Sequence, residues 1–503
     1  MIENDVYDVI VIGSGVGGSA CAAILSQAGF KTLILEKNNE IGGACSSYFK
    51  EGFIIDRACH IIPIGIKGVI GKILKKCGLK NLVFSKKIGT DSAVRLLNSD
   101  YIPLSFAPND LISLDQFKGL FDAFGFSPEE QTELINVVFK ILQYPRSKIR
   151  QMFETKIILS EFLDKLTNSE RVKFFLSWFN GLMFVIPPTQ TSAAEFLHSF
   201  QEMVFKNDVS YPMGGCIAIP QAFIEGVKKF GGIYKPNIEV KKILIEDNKV
   251  IGVELNNGNI INSKIVISNL NIKQTVNKLV GPKYFDKQYL EKVNSLKGSG
   301  STIVLKIAVD KVIIPNYSSV HLIHTDNFSK IIESYKDWEK MEAEERIPDN
   351  PVFMVPIPSN IDKSLAPPGK QLLIFGSGGI ATSEKRNWDP WIERYYEAIL
   401  DFHPEIDDHL IFMDITTPSP NTGKIKASTD LTSYRGNFMV EGTSLTPDQA
   451  GKYRISSQLP IEGLFVVGDS AGTDTHGVGT QIAADSGLKC AQYITSKYKM
   501  KTH

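Results

Sequence analysis

Gly13, Gly15 and Gly18 stand at Gly-x-Gly-x-x-Gly spacing, after the β-branched run Tyr7 to Ile12 and before an Ala- and Leu-rich stretch from Ser19 to Gly29. Each glycine of such a turn serves a different purpose, with a tight bend at Gly13, approach of backbone to a phosphate at Gly15, and close packing of helix on strand at Gly18. Ser14 lies between the first two. A helix starting here aims unpaired N–H groups and its positive dipole end at a pyrophosphate, so no basic side chain is required. A second strand, Lys31 to Leu35, ends in Glu36, followed by Lys37. A carboxylate in that position accepts from both ribose hydroxyls and repels a 2′-phosphate. Strand, glycine turn, helix, strand and acid in register specify a dinucleotide, and on these residues NAD and FAD both remain open.

Two further glycine clusters narrow the choice. Gly42, Gly43 and Ala44 lie just past Glu36, and at the far end Gly463 to Asp469 reads as a buried strand closing on Gly468-Asp469. A loop containing His476, Gly477, Val478 and Gly479 follows, then a helix reaching about Ile494. Together with Asp362 to Lys370, a turn that carries Pro367 and Pro368, these segments resemble the phytoene desaturase, carotenoid isomerase and retinol saturase family of the flavin amine oxidase superfamily. The resemblance implies FAD. It puts Gly42, Gly43 and Ala44 along the flavin side, Val240 with its backbone at the adenine, and Asp469 on the ribitol. It also implies a last helix that, through Gly477, Val478 and Gly479, points its N-terminus at the isoalloxazine, where the dipole stabilises a reduced, anionic ring.

The positioning elements read as follows. A chain of 503 residues is too long for one ordinary core. The fold class expected is α/β, a Rossmann-type FAD-binding domain discontinuous in sequence, with a mixed α+β substrate domain carrying a helical, aromatic-rich subdomain. The expected boundaries are 1–85, 206–300 and 451–503 for the three parts of the FAD domain, 86–205 for the helical, substrate- or membrane-facing subdomain, and 301–450 for the substrate-domain sheet. Within the second part, a helix from Ala218 to Phe230 precedes strands at Ile238 to Ile245, Val250 to Leu255 and Ile260 to Ser268. A second glycine cluster, Gly376 to Ala381, follows a strand-like run but lacks a helix of small residues and an acid-tipped second strand, so it reads as a turn.

Composition excludes several classes. Hydrophobic residues make up 43% and charged residues 22%, and Lys+Arg and Asp+Glu both number 55, so no basic field exists to gather nucleic acid. Six scattered cysteines show neither zinc-site spacing nor a disulfide framework, and no metal is expected. The expected location is cytoplasmic, with a peripheral membrane contact, since neither a secretory signal nor an apolar stretch of about 18 to 20 residues is visible. The Phe-rich region, with Phe117, Phe121, Phe124, Phe139, Phe174 and Trp178 among others, admits two readings. One is a helical core. The other is a set of exposed aromatics forming an entrance for a lipid.

No nucleophile triad is visible. His476 and His60 are the candidate acids, and Arg57 calls for the same caution. Arg57-Ala58-Cys59-His60 replaces the Asp-x-Gly pattern usual in the desaturases, which puts an ordinary carotenoid substrate in question. The expected partner is an apolar lipid whose C–C double bonds are made, reduced or moved. A flavin amine oxidase acting on a small amine and a non-catalytic FAD-binding scaffold are the alternatives; the oligomeric state is left open.

Overall fold

The computed structural model describes residues 6–58, 61–105, 117–336, 340, 343–436, 439 and 442–498. Val9–Ile12, four buried β-branched residues, is the middle strand of a five-stranded parallel sheet. Its neighbours are Val266–Ser268 and Thr32–Leu35, with Leu464–Val466 and Ile233–Lys235 at the edges. A wholly apolar run suits such a strand, which has both faces covered. The sheet thus gathers strands from both ends and the middle of the chain.

The helix Val16–Gln27 is buried along all but its last residue, between the helices Ala218–Lys229 and Thr480–Lys497. Glycine permits this approach: a Cβ on Gly487 would lie 2.3 Å from the carbonyl oxygen of Gly17. The run read as one strand from Ile260 to Ser268 is divided. Ile260–Asn262 closes a three-stranded antiparallel sheet with Val240–Glu246 and Lys249–Leu255, and Val266–Ser268 crosses into the parallel sheet.

A mixed eight-stranded sheet forms the second layer, with Ser301–Val309, Gln371–Gly379, Val352–Pro356 and Ser319–Ile323 at its centre. Ser92–Leu96 and Ile102–Leu104, grouped by sequence with the helical segment, are strands of this sheet. The glycine cluster at 376–379 is not a turn. It continues the strand Gln371–Gly379, pairing Gly376, Ser377, Gly378 and Gly379 with Val304 back to Ser301. Helices between Lys118 and Lys206 cover one side, and Ser127 and Glu130 form a reciprocal capping box at the start of Pro128–Leu142.

Candidate active site

One cavity of about 880 Å³ runs from the glycine turns at the edge of the parallel sheet to the space between the eight-stranded sheet and the helix Glu170–Phe184. Gly13, Gly15, Glu36, Lys37, Gly42, Gly43, Ala44 and Val240 line its dinucleotide end. Gly13 has φ of 92°, a left-handed conformation that favours glycine. A Cβ on Gly18 would meet the carbonyl oxygen of Gly13 at 2.6 Å, and one on Gly15 would meet Asn269 Nδ2 at 2.3 Å. Asn269, which sequence reasoning missed, also accepts from the Gly18 N–H at 3.0 Å. It follows the strand Val266–Ser268, so only the assembled sheet brings it to the turn.

Glu36 is buried and accepts from the N–H and Oγ of Ser14, both at 2.8 Å, and from the Asn38 N–H at 2.9 Å. Ser14 Oγ in turn accepts from the Gly42 N–H at 3.2 Å. One serine thus ties together the first glycine turn, the acid and the second glycine pair. Lys37 donates to the Ser433 carbonyl at 3.2 Å. The helix Val16–Gln27 has neither a side-chain cap nor an acid in its first turn, leaving its N-terminus suited to an anion.

Gly468, Asp469, Val478 and Gly479 line the same cavity. Gly479 is the N-cap of Thr480–Lys497, again with no side-chain cap and no acid in the first turn. Two uncapped helix starts therefore face one cavity. Asp469 Oδ2 accepts from Arg435 Nη2 at 3.0 Å, and its carbonyl accepts from Arg454 Nη2 at 2.8 Å. Neither arginine was evident as a site residue in the sequence.

His476 and Gly477 do not line this cavity. Wholly buried Glu195 pairs with His476 Nδ1 at 3.0 Å and accepts from the Gly477 N–H at 3.1 Å. Burial opposes charge on His476, but the Glu195 carboxylate outweighs it and holds the imidazole above its usual pKa. Burial likewise opposes charge on Glu195, and His476 outweighs it, so that carboxyl lies below its ordinary value. His198 stacks on His476 at 4.5 Å, and burial pushes its pKa down to about 4. The three side chains bring metal-ligand atoms within 4.8 Å of one another. Their existing bonds, and the fully buried Arg454 guanidinium acting on Glu195, make the cluster an ion-paired clamp on the loop. Arg57 lies 4.2 Å over the Tyr434 ring and pairs with Glu40 at 3.2 Å. His60 lies outside the described residues.

The far compartment is mainly apolar, with Thr325, Arg346, Asn350 and Tyr395 among the polar residues that also line the cavity. Phe174, Trp178, Phe179 and Leu182 form one wall; Ile323, Met354, Gly376 and Gly378 belong to the other. A Cβ on Gly378 would meet nothing within 4 Å, so this glycine leaves open space rather than permitting a turn. No carboxylate lines this compartment among the described residues. The Phe-rich helices are mainly core: Phe117, Phe121, Phe124, Phe126, Phe162, Phe175 and Phe184 are buried, while Phe139 at 39% and Phe205 at 61% are exposed. The aromatics named for a lipid entrance therefore do not form an exposed face. No helix among the described residues is long and apolar enough to cross a membrane.

A split glycine cradle with two uncapped helix starts is the geometry a flavin dinucleotide needs, and comparison with known proteins agrees. The family profile for flavin containing amine oxidoreductases matches residues 16–495. The chain belongs to this family. It is 25% identical to a prolycopene isomerase of Daucus carota over 97% of its length and 80% of that protein. It is 24% identical to an all-trans-retinol 13,14-reductase of Danio rerio over 97% and 86%, and 25% identical to a phytoene desaturase of Fusarium fujikuroi over 78% and 73%. The fold matches that of an oxidoreductase from Methanosarcina mazei with a TM-score of 0.69, at 20% identity, over 96% of this chain and 99% of that one. The cofactor of this flavin oxidoreductase is FAD, and the cavity lined by Gly13, Gly15, Glu36, Gly42, Gly43, Gly468, Asp469, Val478 and Gly479 could hold it.

Proposed function

We propose that this flavin oxidoreductase acts on C–C double bonds of a long, apolar, isoprenoid-like lipid, by desaturation, saturation or isomerisation. The observation that carries the reading is the continuity of the cavity, from the uncapped helix starts to a compartment walled by Phe174, Trp178, Phe179, Leu182, Ile323 and Met354. FAD, when bound, supplies hydride acceptance or donation. The chain's own residues do the rest: the glycine turns and Glu36 fix the dinucleotide, the apolar walls align a lipid and exclude water, and the uncapped N-terminus at Gly479 favours negative charge beside it. The relatives named for lycopene, retinol and phytoene chemistry support this substrate class. A small amine is disfavoured, because an ammonium entering the far compartment meets no carboxylate among the described residues.

The test is spectroscopic. Anaerobic FAD-loaded protein, in oxidised and in dithionite-reduced form, is mixed with phytoene, with retinol and with putrescine. Bleaching of the oxidised flavin or reoxidation of the reduced flavin by a lipid, but not by the amine, is expected. Reaction with putrescine alone rejects the proposal.

A further inference from the structure

Between Ile61 and Thr90 the chain carries seven exposed lysines, among them Lys67, Lys72, Lys75, Lys76 and Lys86, and no acid. In a chain of zero net charge this is a marked local excess of one sign. The helix Val69–Lys76 sorts its residues by face: Ile70, Ile73 and Leu74 are buried, whereas Lys72, Lys75 and Lys76 are exposed. The negative end of the helix dipole accounts for Lys75 and Lys76 in the last turn, but not for Lys67, Lys72 or Lys86. Among the described residues Lys72, Lys75 and Lys76 make no ion pair. Of the acids that approach from other elements, Asp208 is buried and paired with Lys86 at 3.6 Å, and Glu225 bonds to Asn81.

Three large apolar side chains are exposed beside these lysines, Ile66 at 44%, Val83 at 60% and Phe205 at 61%. The fold gathers them around Asp208. The Gly65 N–H donates to the Asp208 carbonyl at 2.9 Å and the Lys67 N–H to its carboxylate at 2.7 Å, with Ile66 between them. Lys86 donates to the carbonyl of Asn207 at 3.3 Å, two residues beyond Phe205. Val83 precedes Phe84, whose ring would lie 3.2 Å from a Cβ on Gly65. The same segments also form cavity wall: Ile61, Ile62 and Pro63 come just before Ile66, and Met203 and Val209 flank Phe205.

The two kinds of side chain together select the partner. A second copy of this face is repelled by like charge, and a polyanion such as nucleic acid engages the lysines but gives Phe205, Val83 and Ile66 nothing to pack into. A bilayer with anionic headgroups takes both, phosphates on the lysines and the acyl boundary on the apolar side chains. We propose that the surface from Ile66 to Lys87, with Phe205, docks on an anionic lipid bilayer. The docking stands on these surface residues without the lipid reading above, and adds to that reading a place beside the cavity wall where an apolar substrate is taken up.

The test sediments FAD-loaded protein with vesicles of phosphatidylcholine alone and with vesicles in which about a third of the lipid is phosphatidylserine. Partition into the anionic vesicles is expected to be at least about tenfold the stronger, and to fall as salt screens the lysines. Lys72→Gln with Lys75→Gln and Lys76→Gln is expected to lower it at least about tenfold, and Val83→Ser with Phe205→Ser about threefold or more. None of these residues lines the cavity, so both variants are expected to keep the flavin spectrum and the flavin's reaction with detergent-dispersed phytoene or retinol. Equal partition of the unaltered protein into the two kinds of vesicle overturns the docking surface, and this comparison requires no variant. Unchanged partition in the lysine variant overturns the assignment to this segment. Unchanged partition in the Val83 and Phe205 variant marks a purely electrostatic surface, as nucleic acid or an acidic protein would use, and overturns the bilayer. Binding to anionic vesicles by protein whose flavin reacts with no dispersed lipid supports the docking while the lipid reading fails.

Discussion

The carboxylate of Glu195 and the imidazole of His476, distant in the chain, meet at 3.0 Å, and the same carboxylate holds the Gly477 N–H at 3.1 Å. The loop leading to the cavity-lining Val478 and Gly479 is thereby fastened to the helix Ala193–Lys206. His476, the residue the sequence suggests as a proton donor, lies outside the cavity and shares the Glu195 carboxylate with the Gly477 N–H beside it.

This pair predicts a pH window. Glu195 is held below its ordinary value of 4.5, so its contribution is present above that pH and is lost as pH falls through its folded value. His476 is held above its ordinary 6.5, so its contribution is complete below 6.5 and is lost as pH rises through its folded value. Urea unfolding should therefore show a plateau of stability between about pH 4.5 and 6.5 arising from this pair. Glu195→Gln should lower stability at pH 6 by about 3 kcal/mol, the scale for breaking a buried ion pair, and by less at high pH. A variant whose loss is the same at pH 6 and pH 9 would show that the ion pair is not the cause.

Gly378 and Gly17 separate space from packing. Gly378→Leu enters a region where a Cβ meets nothing within 4 Å, at a position without positive φ. It should leave the flavin spectrum and stability nearly unchanged while lowering lipid affinity at least about tenfold, by filling the compartment. Gly17→Ala places a Cβ 2.8 Å from the Gly468 backbone. It should instead weaken FAD retention or folding by about 1 to 3 kcal/mol, through overpacking. Full lipid affinity in Gly378→Leu would remove this strand from the proposed substrate wall.

Glu36→Ala should weaken FAD retention by about 1 to 3 kcal/mol, as expected when buried charge-assisted bonds are removed. The Ser14 N–H, Ser14 Oγ and Asn38 N–H all lose their acceptor, so part of the loss comes from a loosened turn. Glu36→Gln keeps the shape and one acceptor oxygen and should fall between the two. Equilibrium dialysis of FAD measures both, and retention equal to that of the unaltered protein in Glu36→Ala would refute a ribose-holding role.

The strand, glycine turn, helix and second strand at the start of the chain were legible in the sequence because their signals are local. Gly13, Gly15 and Gly18 beside a β-branched run encode a turn through backbone geometry that a few residues settle among themselves, and Glu36 follows at the tip of the next strand. Other parts failed for equally physical reasons. The stretch from Ile260 to Ser268 is apolar enough for one strand, yet two sheets compete for it and each takes an end. Gly376 to Gly379 looked like a turn because glycine is a poor strand former, and only the partner strand Ser301–Val309 pairs it and gives its missing side chains a use.

The sequence alone determined the first glycine turn, the strands on either side of it and the acid at the tip of the second, since glycine spacing, strand patterning and a terminal acid are properties of neighbouring residues. Tertiary structure decided the rest: the ion pair that claims His476, the asparagine that closes on Gly18, and the compartment that Trp178 and Met354 wall from opposite sides. Each joins residues far apart in the chain. Burial, and the lack or presence of a partner within it, exists only once the chain has closed on itself.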